Sequence, residues 1–126
     1  TEYPPIVRQC ISLGRRLIDP LSEICGLFND QDDILCLKFH PLQDLLPKDE
    51  LLRTLERRAL TIANNVGVDI NRAVLHRWTS HALQFISGLG RRKAAHVLQQ
   101  ISTKLEGRVV TREQLAEKIL TSGVVY

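Results

Sequence analysis

The stretch Ile86-Ser-Gly-Leu-Gly90, followed at once by Arg91-Arg-Lys93, constrains this chain more than any other part of it. Gly88 and Gly90 can take positive φ or admit another backbone where a Cβ would clash, and Leu89 between them can turn inward as an anchor. Leu83 and Ile86 precede the turn at helical spacing. Ala94, Val97, Leu98 and Ile101 follow it at i, i+3, i+4 and i+7, so a helix is expected on each side. The second helix starts near Gly90 or Arg91. Its first amides lack intrahelical acceptors and carry the positive end of the helix dipole, an arrangement suited to an anion, and Arg91, Arg92 and Lys93 add cations there. Three cations at that end oppose the dipole at a cost of about 0.3–1 kcal/mol each, which an acidic partner would offset.

Ile86, Gly88, Leu89, Gly90, Ala94 and Val97 fill the pattern hydrophobic-x-Gly-hydrophobic-Gly-x-x-x-Ala-x-x-hydrophobic. The segment thus resembles the helix-hairpin-helix signature of sequence-independent nucleic-acid binders. That resemblance implies a grip on a phosphate backbone by Gly88, Leu89, Gly90, Arg91, Arg92 and Lys93, of DNA or RNA, weak and blind to sequence. The same turn also serves purely to pack helices, and both readings stay open at this point.

Charge supports the first reading. From Thr1 to Asn71 there are 8 Lys/Arg against 11 Asp/Glu, and from Arg72 to Tyr126 there are 9 against 3. The basic half is the half that holds the hairpin, as an electrostatic footprint for a polyanion would require, although such an excess also describes a solvated face. At 126 residues the chain fits one domain, or one domain with a piece of a neighbour. No apolar run approaches the roughly 20 residues that span a bilayer, and no basic segment leads into an apolar one at the start, so neither a membrane partner nor secretion is expected. Cys10, Cys25 and Cys36 each lie in an apolar stretch and read as buried thiols of a reducing compartment.

Helical patterns run nearly throughout. After an extended Tyr3-Pro4-Pro5, Ile6, Cys10, Leu13 and Leu17 mark one helix face. Asp19-Pro20 reads as N-cap and first helical residue of a helix to about Phe28, with Leu21, Ile24, Cys25 and Phe28 inward. Ile34 to Phe39 alternates like a short strand or extended segment. Pro47 then opens a long helix whose stripe is Leu51, Leu52, Leu55, Ala59, Ile62, Ala63 and Val66, closed by Gly67. Asp69 can cap a short helix over residues 72–76, Thr79 or Ser80 the helix leading to the hairpin, and Thr111 with Gln114 a last helix through Ile119. Gly123 is placed as the turn of a second, weaker hairpin whose closing helix is missing, so the sequence is expected to end inside a larger protein. The expected class is all-α.

Other chemistries find little support. Asp19 and Glu23 share a helix face, but Asp19 is already a cap; Asp30, Asp32 and Asp33 lack the glycine and ligand spacing of a calcium loop. Cys36, His40 and Cys25 contain no Cys-x-x-Cys pair for zinc. His76, His81 and His96 stand singly on helices, and Trp78 reads as a core anchor. No catalytic residue, metal, cofactor or small-molecule substrate is therefore assigned.

Three separated blocks carry a wider resemblance: Asp33-Ile-Leu-Cys-Leu-Lys-Phe-His-Pro-Leu-Gln43, Asn65-Val-Gly-Val-Asp-Ile-Asn-Arg-Ala73 and Gly88-Leu-Gly-Arg-Arg-Lys93. In this order they resemble segments of the suppressor of Ty six family of eukaryotic transcription elongation factors and histone chaperones, relatives of bacterial Tex. The resemblance implies that residues 1–28 are the last helices of a YqgF, or RNase-H-like, domain and that residues 29–126 are a helix-hairpin-helix domain. It further implies a nuclear, non-enzymatic scaffold, associated through the full-length protein with histones, nucleosomes and RNA polymerase II. The chain departs from the family pattern where Arg91-Arg92 replaces a commoner Pro-Arg pairing, and Gly123 stands alone where a Gly-x-Gly could occur, so a two-hairpin clamp on duplex DNA is not expected.

Overall fold

A computed structural model describes residues 2–120, and the expected Gly123 turn lies outside them. The described residues form six α-helices: α1 (Pro5–Ile18), α2 (Pro20–Cys25), α3 (Lys48–Val66), α4 (Ile70–Leu75), α5 (Arg91–Lys104) and α6 (Arg112–Leu115). Three 3-10 segments, Asp33–Cys36, Gln43–Leu45 and Arg77–Phe85, lie between them, and α6 runs into a π turn over Ala116–Leu120. The class is all-α, with no strand among the described residues.

Local chemistry sets most boundaries as the sequence leads one to expect. Asp19 accepts from the Ser22 amide at the start of α2, and Asp69 accepts from the amides of Asn71 and Arg72 at the start of α4. Thr111 accepts from Gln114 N at α6, while the Gln114 side chain reaches back one residue further, to the Val110 amide. Gly67 ends α3 with φ +81°.

Four expectations are corrected. Asp33–Cys36 is a 3-10 turn rather than a strand. Asn29 Oδ1 takes the amides of Gln31 and Asp33, its Nδ2 donates to Asp33, and Asp32 adopts φ 53°, so side-chain bonds fold a stretch whose alternation suggested extension. Leu37 at its end has an extended backbone. The helix before the hairpin is 3-10: Thr79 and Ser80 do not cap it, but donate to carbonyls three residues back, at His76 and Arg77, and Thr79 also reaches Arg72 O. On α3, Ile62 and Val66 fall off the buried stripe and face outward. Cys10 and Cys36 are exposed, and only Cys25 is a buried thiol, pushed up to about 12 by burial and by the charge of Asp19.

The face of α1 is where the first helix departs furthest. Ile6, Leu13 and Leu17 do share it, but it points to solvent, Leu17 being 88% exposed, and no residue of α1 is buried. The helix rests on α2 through a hydrogen bond from Ser12 to Glu23 and on Trp78 through the guanidinium of Arg15, 5.5 Å from the ring centroid. Arg72 covers the same ring at 6.0 Å, so Trp78 is gripped between two cations and only partly buried.

Two apolar clusters carry the packing. Phe28, Ile34 and Ala59 centre one, with Ile24, Leu52, Leu55 and Phe85 around them and the two phenyl rings edge to face at 5.0 Å. Val97, Ile101 and Ile119 centre the other, with Val74, Leu89, Leu105 and Leu115. The segment Arg77–Phe85 touches α2, α3, α4 and α5, and its Thr79, Ala82 and Leu83 are buried.

Candidate nucleic-acid interface

The hairpin is built from three anchors. Leu89 turns inward, as its place between two glycines suggests, and packs against the Val97 and Ile101 cluster. The turn itself closes by a bond from Leu89 N to Ile86 O, 2.9 Å, with Gly88 at φ +85°, a conformation that disfavours any side chain. Asn64 near the end of α3 supplies the second anchor: its Nδ2 donates to Phe85 O at 3.0 Å and its Oδ1 accepts from Ser87 N at 3.0 Å. One amide side chain thus spans the approach to the turn. The expected result of Asn64→Ala is a loss of about 1 kcal/mol, typical of a partly exposed pair of hydrogen bonds, with faster hydrogen exchange at Ser87 read by NMR.

Arg91 is the third anchor, and here the side chain does not stand free in solvent as a phosphate ligand would. Its Nη1 pairs with Asp30 Oδ1 at 2.6 Å, its Nη2 donates to Phe28 O at 2.7 Å and its Nε to Gln84 Oε1 at 3.3 Å. The guanidinium therefore fastens the first turn of α5 to the loop after α2. It also stands at the rim of an open cleft of about 560 Å³ that lies between that loop, the segment 77–85 and α5.

What remains outward is the backbone and the next two side chains. Gly88 and Gly90 are exposed, and a Cβ added at either would meet nothing within 4 Å. Gly90 precedes α5 with extended φ and ψ and no side chain caps the helix, whose first intrahelical donor is the amide of Ala94, bonded to Gly90 O at 2.8 Å. Arg92 is exposed and Lys93 half-buried, and among the described residues neither has a hydrogen bond or ion pair. Of the six residues expected at the interface, Gly88, Gly90 and Arg92 are exposed and Lys93 is half-buried, while Leu89 and Arg91 hold the turn to the protein.

Two contributors escaped the sequence reading. Asn64 had a signal, an amide residue inside a helix where propensity disfavours it, whereas Asp30 had only its place in a polar connector. Among the described residues no three His, Cys, Asp or Glu side chains converge as a metal site would need. His40 spends its Nδ1 on the Leu42 amide. His81 lies against Gly26, and that packing lowers its pKa; Glu23 acts in the opposite direction and Arg15 and Arg77 in the same one. The described helices include none long and apolar enough to cross a membrane.

A family model described as a helix-hairpin-helix motif matches residues 32–126. A transcription elongation factor SPT6 of Drosophila melanogaster is 42% identical over 110 residues, 85% of this chain and 6% of its own length. The SPT6 elongation factor of Candida albicans is 41% identical over 125 residues, 99% of this chain and 9% of its own, and an SPT6-like elongation factor of Arabidopsis thaliana is 44% identical over 110 residues, 87% and 8%. The chain spans less than a tenth of each of these relatives. The chain belongs to the helix-hairpin-helix family, in the segment shared with the SPT6 transcription elongation factors.

Proposed function

We propose that this chain is a binding module, not an enzyme, which makes a weak, sequence-blind contact with a nucleic-acid backbone through the hairpin. The observation that carries this is the uncapped start of α5, with Gly88, Gly90 and Arg92 exposed and, among the described residues, the side chains of Arg92 and Lys93 unpaired beside it. Exposed amides at a helix N-terminus take phosphate oxygens, and each flanking cation adds release of condensed counterions. With Arg91 engaged by Asp30, Phe28 O and Gln84, two side chains rather than three supply that term. The log–log slope of affinity against salt is then about −2.

The relatives, whose names describe transcription elongation factors, support a larger setting. In that setting the chain works in the nucleus as one part of a longer protein that associates with histones, nucleosomes and RNA polymerase II, and α1 with α2 forms the end of a preceding YqgF-type domain. The outward apolar face of α1 supports that last reading, since such a face is ordinarily covered by a neighbour. A second reading, a scaffold in which the hairpin only joins helices, is favoured by one observation: Leu89 packs into the apolar cluster and Arg91 bonds back to Phe28 O rather than standing free.

The variant that separates the two is Arg92→Glu with Lys93→Glu, which reverses both free charges and touches no anchor. Fluorescence anisotropy with a short labelled duplex is expected to show at least a tenfold loss of affinity, with the melting temperature unchanged. Binding equal to that of the unaltered chain would leave the scaffold reading.

A further inference from the structure

We infer that Asp30 is an intramolecular rival for the anion, which holds Arg91 in a partly neutralised state that a polyanion has to displace. This rests on the phosphate-contact reading above and concerns how that same surface is regulated. Three acceptors reach Arg91, and only one is charged: Phe28 O and Gln84 Oε1 are neutral, whereas Asp30 Oδ1 forms an ion pair at 2.6 Å. The two neutral bonds suffice to orient the guanidinium against the protein. Asp30 adds charge compensation, and it does so from a side chain that is 93% exposed, to a partner 58% exposed.

A pair in such a place is screened by water and salt and exchanges its partner readily. Of the acidic residues of this loop, Asp30 is the one that reaches Arg91, and Asp33 is engaged with Asn29 at 2.7 Å. The carboxylate reaches a cation in the first turn of α5, 61 residues further along the chain, where the helix dipole favours negative charge. A carboxylate at this point does for Arg91 what a phosphate oxygen would do, through the same charge-assisted N–H···O bond. While it stays, the surface presents Arg92 and Lys93 alone. Only where Asp30 is released does Arg91 become a third phosphate ligand, without the two neutral bonds being broken, and as long as Asp30 competes the contact of the unaltered chain stays near two.

The test is a salt series of anisotropy titrations with one short labelled duplex, run on the unaltered chain, on Asp30→Asn, on Asp32→Asn and on the Arg92→Glu, Lys93→Glu double variant. Asp30→Asn is expected to bind about threefold to tenfold more tightly at low salt, with a slope steeper by about 0.9, the increment of one further phosphate contact. Asp32→Asn removes the same charge from the same loop and is expected to gain less than twofold. Equal gains from the two variants, or an Asp30→Asn affinity and slope matching those of the unaltered chain, would overturn the inference. In either case a loss of binding in the double variant would leave the phosphate reading standing. Absence of binding in both the unaltered chain and Asp30→Asn would overturn the two together, whereas binding by Asp30→Asn alone would support the rivalry in its strongest form. Melting curves of each variant verify that the fold is retained.

Discussion

Ile101→Ala is expected to lower the free energy of unfolding by about 3–4 kcal/mol, within the range measured when a buried isoleucine is cut back to alanine. Ile101 is fully buried at the centre of the cluster formed with Val97 and Ile119, and the residues around it arrive from four places: Ile70 and Val74 on α4, Leu89 in the hairpin, Val109 in the linker and Leu115 on α6. A cavity there cannot close by moving one helix. The lost area and the void both count, and the total is a large share of the 5–15 kcal/mol by which a domain of this kind is ordinarily stable. Urea denaturation followed by circular dichroism reads the effect as a lower midpoint at an unchanged slope. Leu89 is held by the same cluster, so amides of the turn are expected to lose hydrogen-exchange protection along with those of α5.

Phe28→Ala is expected to cost about 3–4 kcal/mol as well, and to do so from the other cluster. The ring of Phe28 lies against Phe85 and Ile34, and its backbone carbonyl accepts from Arg91. One residue therefore joins the loop after α2 to both the approach and the exit of the hairpin. Phe28 also stands at the expected boundary between residues 1–28 and 29–126, yet its side chain shares a core with Ala59 of α3. A single cooperative transition, lowered throughout by this substitution and coincident by circular dichroism and Trp78 fluorescence, is the expected outcome. Two separable transitions, with the hairpin half unmoved, would mean that the boundary at residue 28 divides independent units.

The chemistry of helix ends was legible in the sequence because it is local. Asp19, Asp69, Thr111 and Gly67 act on backbone groups within three or four residues, and each stands where its type predicts. The hairpin was legible for the same reason: Gly88 needs its positive φ and Leu89 its burial whatever else surrounds them. Partners distant along the chain were not legible. A run of Arg-Arg-Lys at a helix start does not reveal that its first member turns back to Asp30 and Phe28, since that depends on how the loop after α2 is packed. Alternation from Ile34 to Phe39 misled as well: Ile34, Leu35 and Leu37 all join one cluster while Cys36 and Phe39 are exposed, and the side-chain bonds of Asn29 decided the backbone in favour of a turn. Nor could the stripe of α1 disclose its direction. An amphipathic helix has a face to bury, and in this chain that face stays open.

Phosphate is expected to meet the chain at the hairpin turn and the uncapped start of α5. Following the ¹H–¹⁵N amide signals while a short duplex is titrated into the chain at low salt tests it at the residues concerned. The expected result is a set of shifts concentrated at Gly88, Gly90, Arg91, Arg92 and Lys93, fading as salt is raised. Shifts confined to α1 or to the outer side of α3, or none at all at a duplex excess, would contradict it.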